Sequence, residues 1–503
     1  MKKNLSSSVF PFLILILYFA LRLINLTKLP VFNDEAIYLD WGWKQIGSSN
    51  LLFASLKDGK QPLLIWLFGF AEKFIHDPLL AGRVIVVCFG CISLIALYLI
   101  SRQFFSKKLS LIPPLMYIFI PLFSFYDRQA LMEMPVAAIS LVTLYFLLKL
   151  LKKYEVKYAL LIGLLLGTGF FIKSTFAVFA VTTIFLLLVT FFIKRNKKLL
   201  LSAGIVFIVM QVVLLPLYLK PEFWQTLSRN NQYVMGVSDI MKFPLSVWIA
   251  NISAYFQIGF WILTPLVLLA FIVGLVLMLK GSYLSKIIAW WTILSLGIVM
   301  FLSKSPSSRY IVAFLPLVTV FSLQSFTKLY SKSKILSVSL FSLLFLSIIV
   351  LTMLQIVNPL QYFSTLSKVT ACSDQSEYVT GWTSGYGVPE VVNNLNAKAQ
   401  NGPVIVGVDL EVGNPQDAIM AYFHNSSQVK GFYFDQRVIP VDLANYQCLK
   451  TSVPFYFVTR DNDTSGLEKF FDLEKKFYKP YGKEYISLYK MKSNCIGSTL
   501  SLD

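Results

Sequence analysis

Apolar runs of about 17 to 25 residues, each long enough to cross a hydrocarbon core of about 30 Å, recur through the first 360 residues of this chain and then stop. Lipid offers no partner to a peptide N–H or C=O, so such runs can only be helices that satisfy their own backbone. About eleven spans are expected, near 9–27, 80–103, 109–125, 135–151, 157–173, 175–193, 199–219, 250–279, 286–302, 309–327 and 335–357. With 56% hydrophobic and only 14% charged residues, the composition fits no ordinary soluble domain.

The opening "MKKNLSSSVFPFLILILYFALRLINL" has the basic start of a secretory signal. Its apolar part is too long and lacks a small-residue cleavage site, so a retained anchor is expected, with Lys2 and Lys3 in the cytoplasm. Counting crossings from there, every second loop should be basic. The cytoplasmic segments carry Lys107, Lys108, Lys149, Lys152, Lys153, Lys157, Lys194, Arg195, Lys197, Lys198, Lys280, Lys286, Lys328, Lys332 and Lys334 against the single acid Glu155. The other acids before residue 358 all fall outside: Asp34, Glu35, Asp40, Asp58, Glu72, Asp77, Asp127, Glu133, Glu222 and Asp239. A multi-pass protein of the cell membrane, with its C-terminal part extracytoplasmic, is the expectation.

Charge divides the chain further. Of its 45 Lys and Arg and 26 Asp and Glu, residues 359–503 hold 13 and 15, leaving 32 and 11 before them. The basic excess therefore reports membrane topology and contact with anionic lipid, and no nucleic-acid partner is expected. Residues 1–358 read as a transmembrane domain and 359–503 as an extracytoplasmic α/β domain. In the latter, "VPEVVNNLNAKAQ" and "PQDAIMAYFH" have helical patterns, while "GPVIVGVD" and "VPFYFVTR" read as buried strands of a small parallel or mixed sheet. Cys372, Cys448 and Cys495 allow one disulfide there, Cys88 and Cys91 read as packing or lipid-facing residues, and Asn425 and Asn462 match the glycosylation pattern.

Charge near hydrocarbon is expensive unless paired or solvated, so the acids and cations at the outer margin mark the candidate site. In "FNDEAIYLDWGW" Asn33 is placed to cap an interfacial helix starting at Asp34, with Trp41 and Trp43 at headgroup level. Asp34 and Glu35 in its first turn also suit the helix dipole without any catalytic purpose. "FYDRQALMEMP" offers Asp127 and Glu133, either as chemistry or as loop solvation and a helix start. Lys60 in "KDGKQPLLIW", Lys173 in "GTGFFIKSTFAVF" and Arg309 in "LSKSPSSRYIVAFLP" suit an anionic lipid phosphate, and Lys173 alternatively suits a snorkelling lysine. With His76 and His424 the only imidazoles, a His-rich metal centre is excluded and a Ser-His-Asp site is disfavoured. No Walker A sequence is present, so ATP is not the expected energy source.

An acidic pair after the first span, a K-x-P-L-x-x-W segment, an acid after the third span and an Arg-Tyr near a late span together resemble the GT-C glycosyltransferases. The similarity is to the protein O-mannosyltransferase and aminoarabinose-transferase-like group. That resemblance implies a polyprenyl-phosphate-linked sugar as donor, an acceptor hydroxyl on protein, glycan or lipid, and inversion at the anomeric carbon. It implies Asp34 as base with Glu35 in support, and Asp127 or Glu133 as the third-span acid, Glu133 being preferred. Lys60, Arg309 and Lys173 would bind the donor phosphate. The relatives often carry an acid or His beside their Pro-Pro-Leu segment, whereas this chain has Gly59 and Gln61. No cofactor is called for, and a divalent metal stays an open alternative. A polytopic transporter or flippase is the competing class. It would show inverted repeats and acids deep in mid-membrane helices, and neither is apparent.

Overall fold

The computed structural model describes residues 6–231, 233–370, 374–434, 453–460 and 471–492. Two compact units share the chain: Met1–Asn25, Leu52–Leu64 and Arg83–Cys372 form one, and Leu26–Leu51, Ile65–Gly82 and Ser373–Asp503 the other. Most of the expected first outer loop thus clusters with the C-terminal residues, which a linear division after residue 358 does not anticipate. Lys2, Lys3, Cys372, Cys448, Cys495 and Asn462 lie outside the described residues. Cys88 and Cys91 carry free thiols.

The first unit is helical. Among the described residues seven helices are long and apolar enough to cross a membrane: Pro78–Ser101, Glu133–Lys153, Ser174–Lys194, Lys197–Tyr218, Leu245–Ile262, Tyr283–Leu302 and Lys334–Val357. The expected spans 9–27, 109–125 and 157–173 fall on the shorter apolar helices Phe10–Leu23, Leu109–Phe119 and Val156–Ile172, and Pro265–Leu279 is another such helix. Three expected spans are interrupted, each beside a proline that removes a backbone donor and restricts the preceding residue. The 109–125 run breaks at Ile120, extended ahead of Pro121. The 250–279 run is two helices, Leu245–Ile262 and Pro265–Leu279, parted at Thr264 (φ 75°). The 309–327 run splits into Ser308–Val312 and Val318–Tyr330 around Pro316.

A small-residue stripe lies just before one of the candidate site residues. A Cβ on Gly163 would lie 2.7 Å from Val209 Cβ, and one on Gly167 would lie 2.6 Å from Val213 Cβ. Helices Val156–Ile172 and Lys197–Tyr218 therefore touch backbone to side chain, the close approach that a Gly-x-x-x-Gly stripe permits between helices in lipid. Lys173 immediately follows the first of them.

The second unit carries a mixed sheet of five strands: β1 (Val404–Asp409), β2 (Val429–Phe434), β3 (Phe455–Arg460), β4 (Phe471–Tyr478) and β5 (Tyr485–Met491). Their order is β2-β1-β3-β5-β4, parallel from β2 to β3 and antiparallel from β3 to β4. The two apolar runs seen in the sequence became β1, buried at every position, and β3, buried at all but its last. Central strands covered on both faces read this way. Helices Val388–Ala399 and Gln416–Phe423 occupy the two expected helical segments.

The first-loop helix runs Asn33–Gly47, one residue earlier than expected, with Phe32 at its N-cap. Asn33 does not cap it. Its Oδ1 accepts from the Asn414 backbone N–H at 2.8 Å instead. Trp43 stacks on the His424 ring with centroids 5.6 Å apart.

Candidate active site

In the first unit, Glu133 stands at the first position of helix Glu133–Lys153 and is buried. Its Oε1 accepts from Lys173 Nζ at 2.7 Å and from Arg309 Nε at 3.1 Å. Lys173 leaves the end of helix Val156–Ile172 in an extended conformation, and Arg309 sits in the short helix Ser308–Val312. That short helix is pinned by a 2.7 Å bond between Ser308 Oγ and Tyr126 Oη. Lys60 lies close enough for its charge to act on Lys173. Segments far apart in sequence thus bring two cations onto one carboxylate, with Lys60 near Lys173, and the carboxylate's Oε2 has no hydrogen-bond partner among the described residues. Fixed positive charge of this kind in a low-dielectric setting is suited to an anion.

Asp127 is placed differently. Its fully buried carboxylate accepts from Arg22 Nε at 2.9 Å, Tyr117 Oη at 2.7 Å and Tyr18 Oη at 3.3 Å. The Arg22 guanidinium also donates to Ile118 O at 3.0 Å and Ser124 Oγ at 3.3 Å. Next to it, Arg128 caps the end of the first helix by donating to the carbonyls of Leu21, Ile24 and Asn25 at 2.7–2.9 Å. Such groups tie the first helix to the turn after Tyr126; they satisfy carbonyls that a helix end leaves open.

In the second unit, Asp34 is the single residue between Leu29 and Asp40 that is not buried. Its neighbour Glu35 is buried and accepts from the Phe32 backbone N–H at 2.8 Å, the helix-start role that first-turn acids suit. Tyr38 Oη lies 3.4 Å from Asp34 Oδ2, one turn along the same helix.

Sequence reasoning missed a second polar group in this unit. Asp40, fully buried, pairs with Lys44 and with His424 Nε2 at 2.8 Å, and His424 Nδ1 faces Glu72 Oε2 at 3.8 Å. Tyr433 Oη donates to Asp417 Oδ1 at 2.7 Å and lies 3.2 Å from Lys44 Nζ. The one sequence signal was the i, i+4 spacing of Asp40 and Lys44; His424, Asp417 and Tyr433 come from remote segments. Burial alone would lower the His424 imidazole, but the Asp40 hydrogen bond and the Glu72 carboxylate outweigh it and raise its pKa. Burial, with the charge of Asp40 added, raises the Asp417 carboxyl.

Both shifts have the same sign for stability. A group whose folded pKa is raised binds its proton more tightly when folded, so its contribution is complete below its ordinary value and is lost as pH rises through the folded one. Asp417 should give up its contribution as pH rises from its ordinary value of about 3.9, and thermal unfolding of the purified protein should show a further fall in midpoint as pH rises above the ordinary His value of about 6.5. His424→Gln should flatten that fall, and an unchanged slope in the variant would refute the assignment.

A polytopic helical membrane protein with a mixed-sheet second unit and a cation cluster around a buried acid is a recognisable class. Residues 59–215, which include Lys60, Asp127, Glu133 and Lys173, match the family model described as Dolichyl-phosphate-mannose-protein mannosyltransferase. The fold is similar to that of ArnT from Cupriavidus metallidurans bound to undecaprenyl phosphate, with a TM-score of 0.61 and 14% identity over 98% of this chain and 99% of that one. It is also similar to the Archaeoglobus fulgidus oligosaccharyltransferase in its apo form, with a TM-score of 0.53 and 12% identity over 91% of this chain and 70% of that one. No curated protein matches the chain by sequence. The resemblance to GT-C glycosyltransferases is borne out by family match and fold, and the matched family is one of polyprenyl-phosphate-sugar-dependent transferases.

Proposed function

We propose that this chain transfers a sugar from a polyprenyl-phosphate-linked donor to an acceptor hydroxyl on protein, glycan or lipid, with inversion, at the outer face of the cell membrane. Its N-terminus is cytoplasmic and its C-terminal part extracytoplasmic, a reading that the distribution of loop charges supports. Asp34 takes the acceptor proton as the acceptor oxygen bonds to the anomeric carbon. The bond from that carbon to the phosphate oxygen breaks, and its electron pair leaves with the polyprenyl phosphate. Lys60, Lys173 and Arg309 stabilise the charge that develops on that phosphate.

Glu133 orients two of these cations and does not take the proton itself. Asp127 is structural, and Glu35 serves the helix start. The observation that carries this reading is the Glu133–Lys173–Arg309 cluster, built from segments whose acid and lysine fall inside the family match. No group of three or more His, Cys, Asp or Glu among the described residues is placed to hold a metal ion.

The donor for the test is polyprenyl-phosphate mannose, the lipid-linked sugar class of the matched family, with release of polyprenyl phosphate as the readout. Arg309→Ala and Lys173→Ala should each raise the donor KM by about 10- to 100-fold, the range for losing a hydrogen bond to a charged group. Inorganic salt should weaken donor binding in the wild type more than in either variant. A donor KM that stays at the wild-type value in both variants would refute the phosphate-binding role.

A further inference from the structure

The run Leu29–Asp40 is buried except at Asp34, and the groups that hold the residues just before it come from remote segments. Asn414, itself 1% exposed, makes three contacts there. Its Nδ2 donates to Val31 O at 3.0 Å and to Thr383 O at 2.9 Å, and its backbone N–H donates to Asn33 Oδ1 at 2.8 Å. Thr383 O accepts again from the Asn33 backbone N–H at 2.9 Å. From the helix side, Glu35 ties the Phe32 N–H, and Phe32 packs on the Tyr378 ring with centroids 4.6 Å apart.

Two glycines let these loops approach Val31 and Asn33 closely. A Cβ on Gly385 would fall 1.9 Å from Val31 O. Gly413, at φ +109°, would carry one 2.0 Å from Asn33 Oδ1. A side chain at Gly385 would have to displace the Val31 backbone, and one at Gly413 would displace the Asn33 side chain.

Asn33 supplies the second clue. Asn33 is the first residue of its helix, one past the N-cap Phe32, so its side-chain oxygen is not needed as the cap. Here that oxygen is spent on Asn414 and the helix start is left to Phe32 and Glu35. A purely local helix start would not need this arrangement, whereas fixing the position and direction of the next residue does.

We propose that Asn414 and Asn33 are positioning residues for Asp34: the loop before helix Gln416–Phe423 clamps the Val31–Asn33 backbone and so sets where the Asp34 carboxylate points. This rests on the reading of Asp34 as the base. A base misplaced by about 1 Å can cost on the order of 10²-fold in rate, because proton removal needs hydrogen-bond reach at the moment the bond forms.

The test uses the full-length protein and polyprenyl-phosphate mannose in membranes holding the endogenous acceptor. Asn414→Ala and Asn33→Ala should each lower kcat by about 10- to 100-fold while the donor KM stays within about 3-fold, because the phosphate-binding residues lie on other segments. The double variant should lose no more than the worse single one, since both break one clamp. Asn33→Asp, which keeps the accepting oxygen, should recover most of kcat. A merely structural role predicts instead a lower unfolding midpoint with unchanged kcat per folded molecule, and that result overturns the proposal. Asn33→Ala removes one side-chain acceptor and keeps the proposal testable should Asn414→Ala fail to fold. If Asp34→Asn is inactive while both Ala variants turn over at the wild-type kcat, the base reading stands and the clamp falls. If Asp34→Asn is active, the base reading falls and takes the clamp with it.

Discussion

Asp34→Asn should lower kcat for sugar transfer by about 10²- to 10⁴-fold, the range expected for removing a general base from the transition state. The amide keeps the size and the hydrogen-bonding reach of the carboxylate but cannot take the acceptor proton. Asp34 is the one half-open position in a buried run, so the change should leave the unfolding midpoint near that of the wild type. Donor KM should also stay near its wild-type value, because the lost interaction belongs to the proton transfer and not to donor binding. Release of polyprenyl phosphate from polyprenyl-phosphate mannose reports kcat and KM in one assay. A variant that turns over within about tenfold of the wild type would not fit general-base catalysis.

Asp127→Ala should do the opposite, unfolding the protein rather than slowing it. Removing the carboxylate leaves the Arg22 guanidinium, which is fully buried, without its counter-charge, and takes an acceptor from Tyr117 and Tyr18. Breaking a buried pair by deleting one partner costs about 3–5 kcal/mol, a large share of the about 5–15 kcal/mol that holds a typical domain folded. The expected result is a marked fall in the yield of folded protein and in its unfolding midpoint. Molecules that do fold should keep most of their turnover. Wild-type stability with lost activity would instead assign Asp127 to the chemistry. Together the two substitutions separate acids that look alike in the sequence, both of them beside a predicted outer margin.

What distinguished those acids was invisible to local pattern. "DRQALME" holds two candidates six residues apart, and nothing in the spacing says which one meets Arg22 and which meets Lys173 and Arg309. Partners 105, 40 and 176 positions away decide it. The pair Asp34 and Glu35 was ambiguous for the same reason. Local chemistry offered a helix-dipole role for both, and burial then gave that role to Glu35 while leaving Asp34 half-open. His424 drew notice only as a scarce imidazole; its place between Asp40 and Glu72 is a product of packing.

The sequence by itself determined the class of this protein. Hydrophobic runs of spanning length, a lopsided distribution of Lys and Arg, and the apolar strand runs of the C-terminal part are one-dimensional signals, because the bilayer and the sheet each impose a fixed period and length. Even there, prolines broke three of the expected spans at points where length alone predicted continuity. Only the tertiary structure decided which charges are paired, which residues hold the segment around Asp34, and which part of the first loop clusters with the C-terminal sheet. The physical reason is range. Helix and strand preferences act over a few residues, whereas the cost of burying a charge or a peptide group is met by whatever partner the fold brings to it, at any distance along the chain.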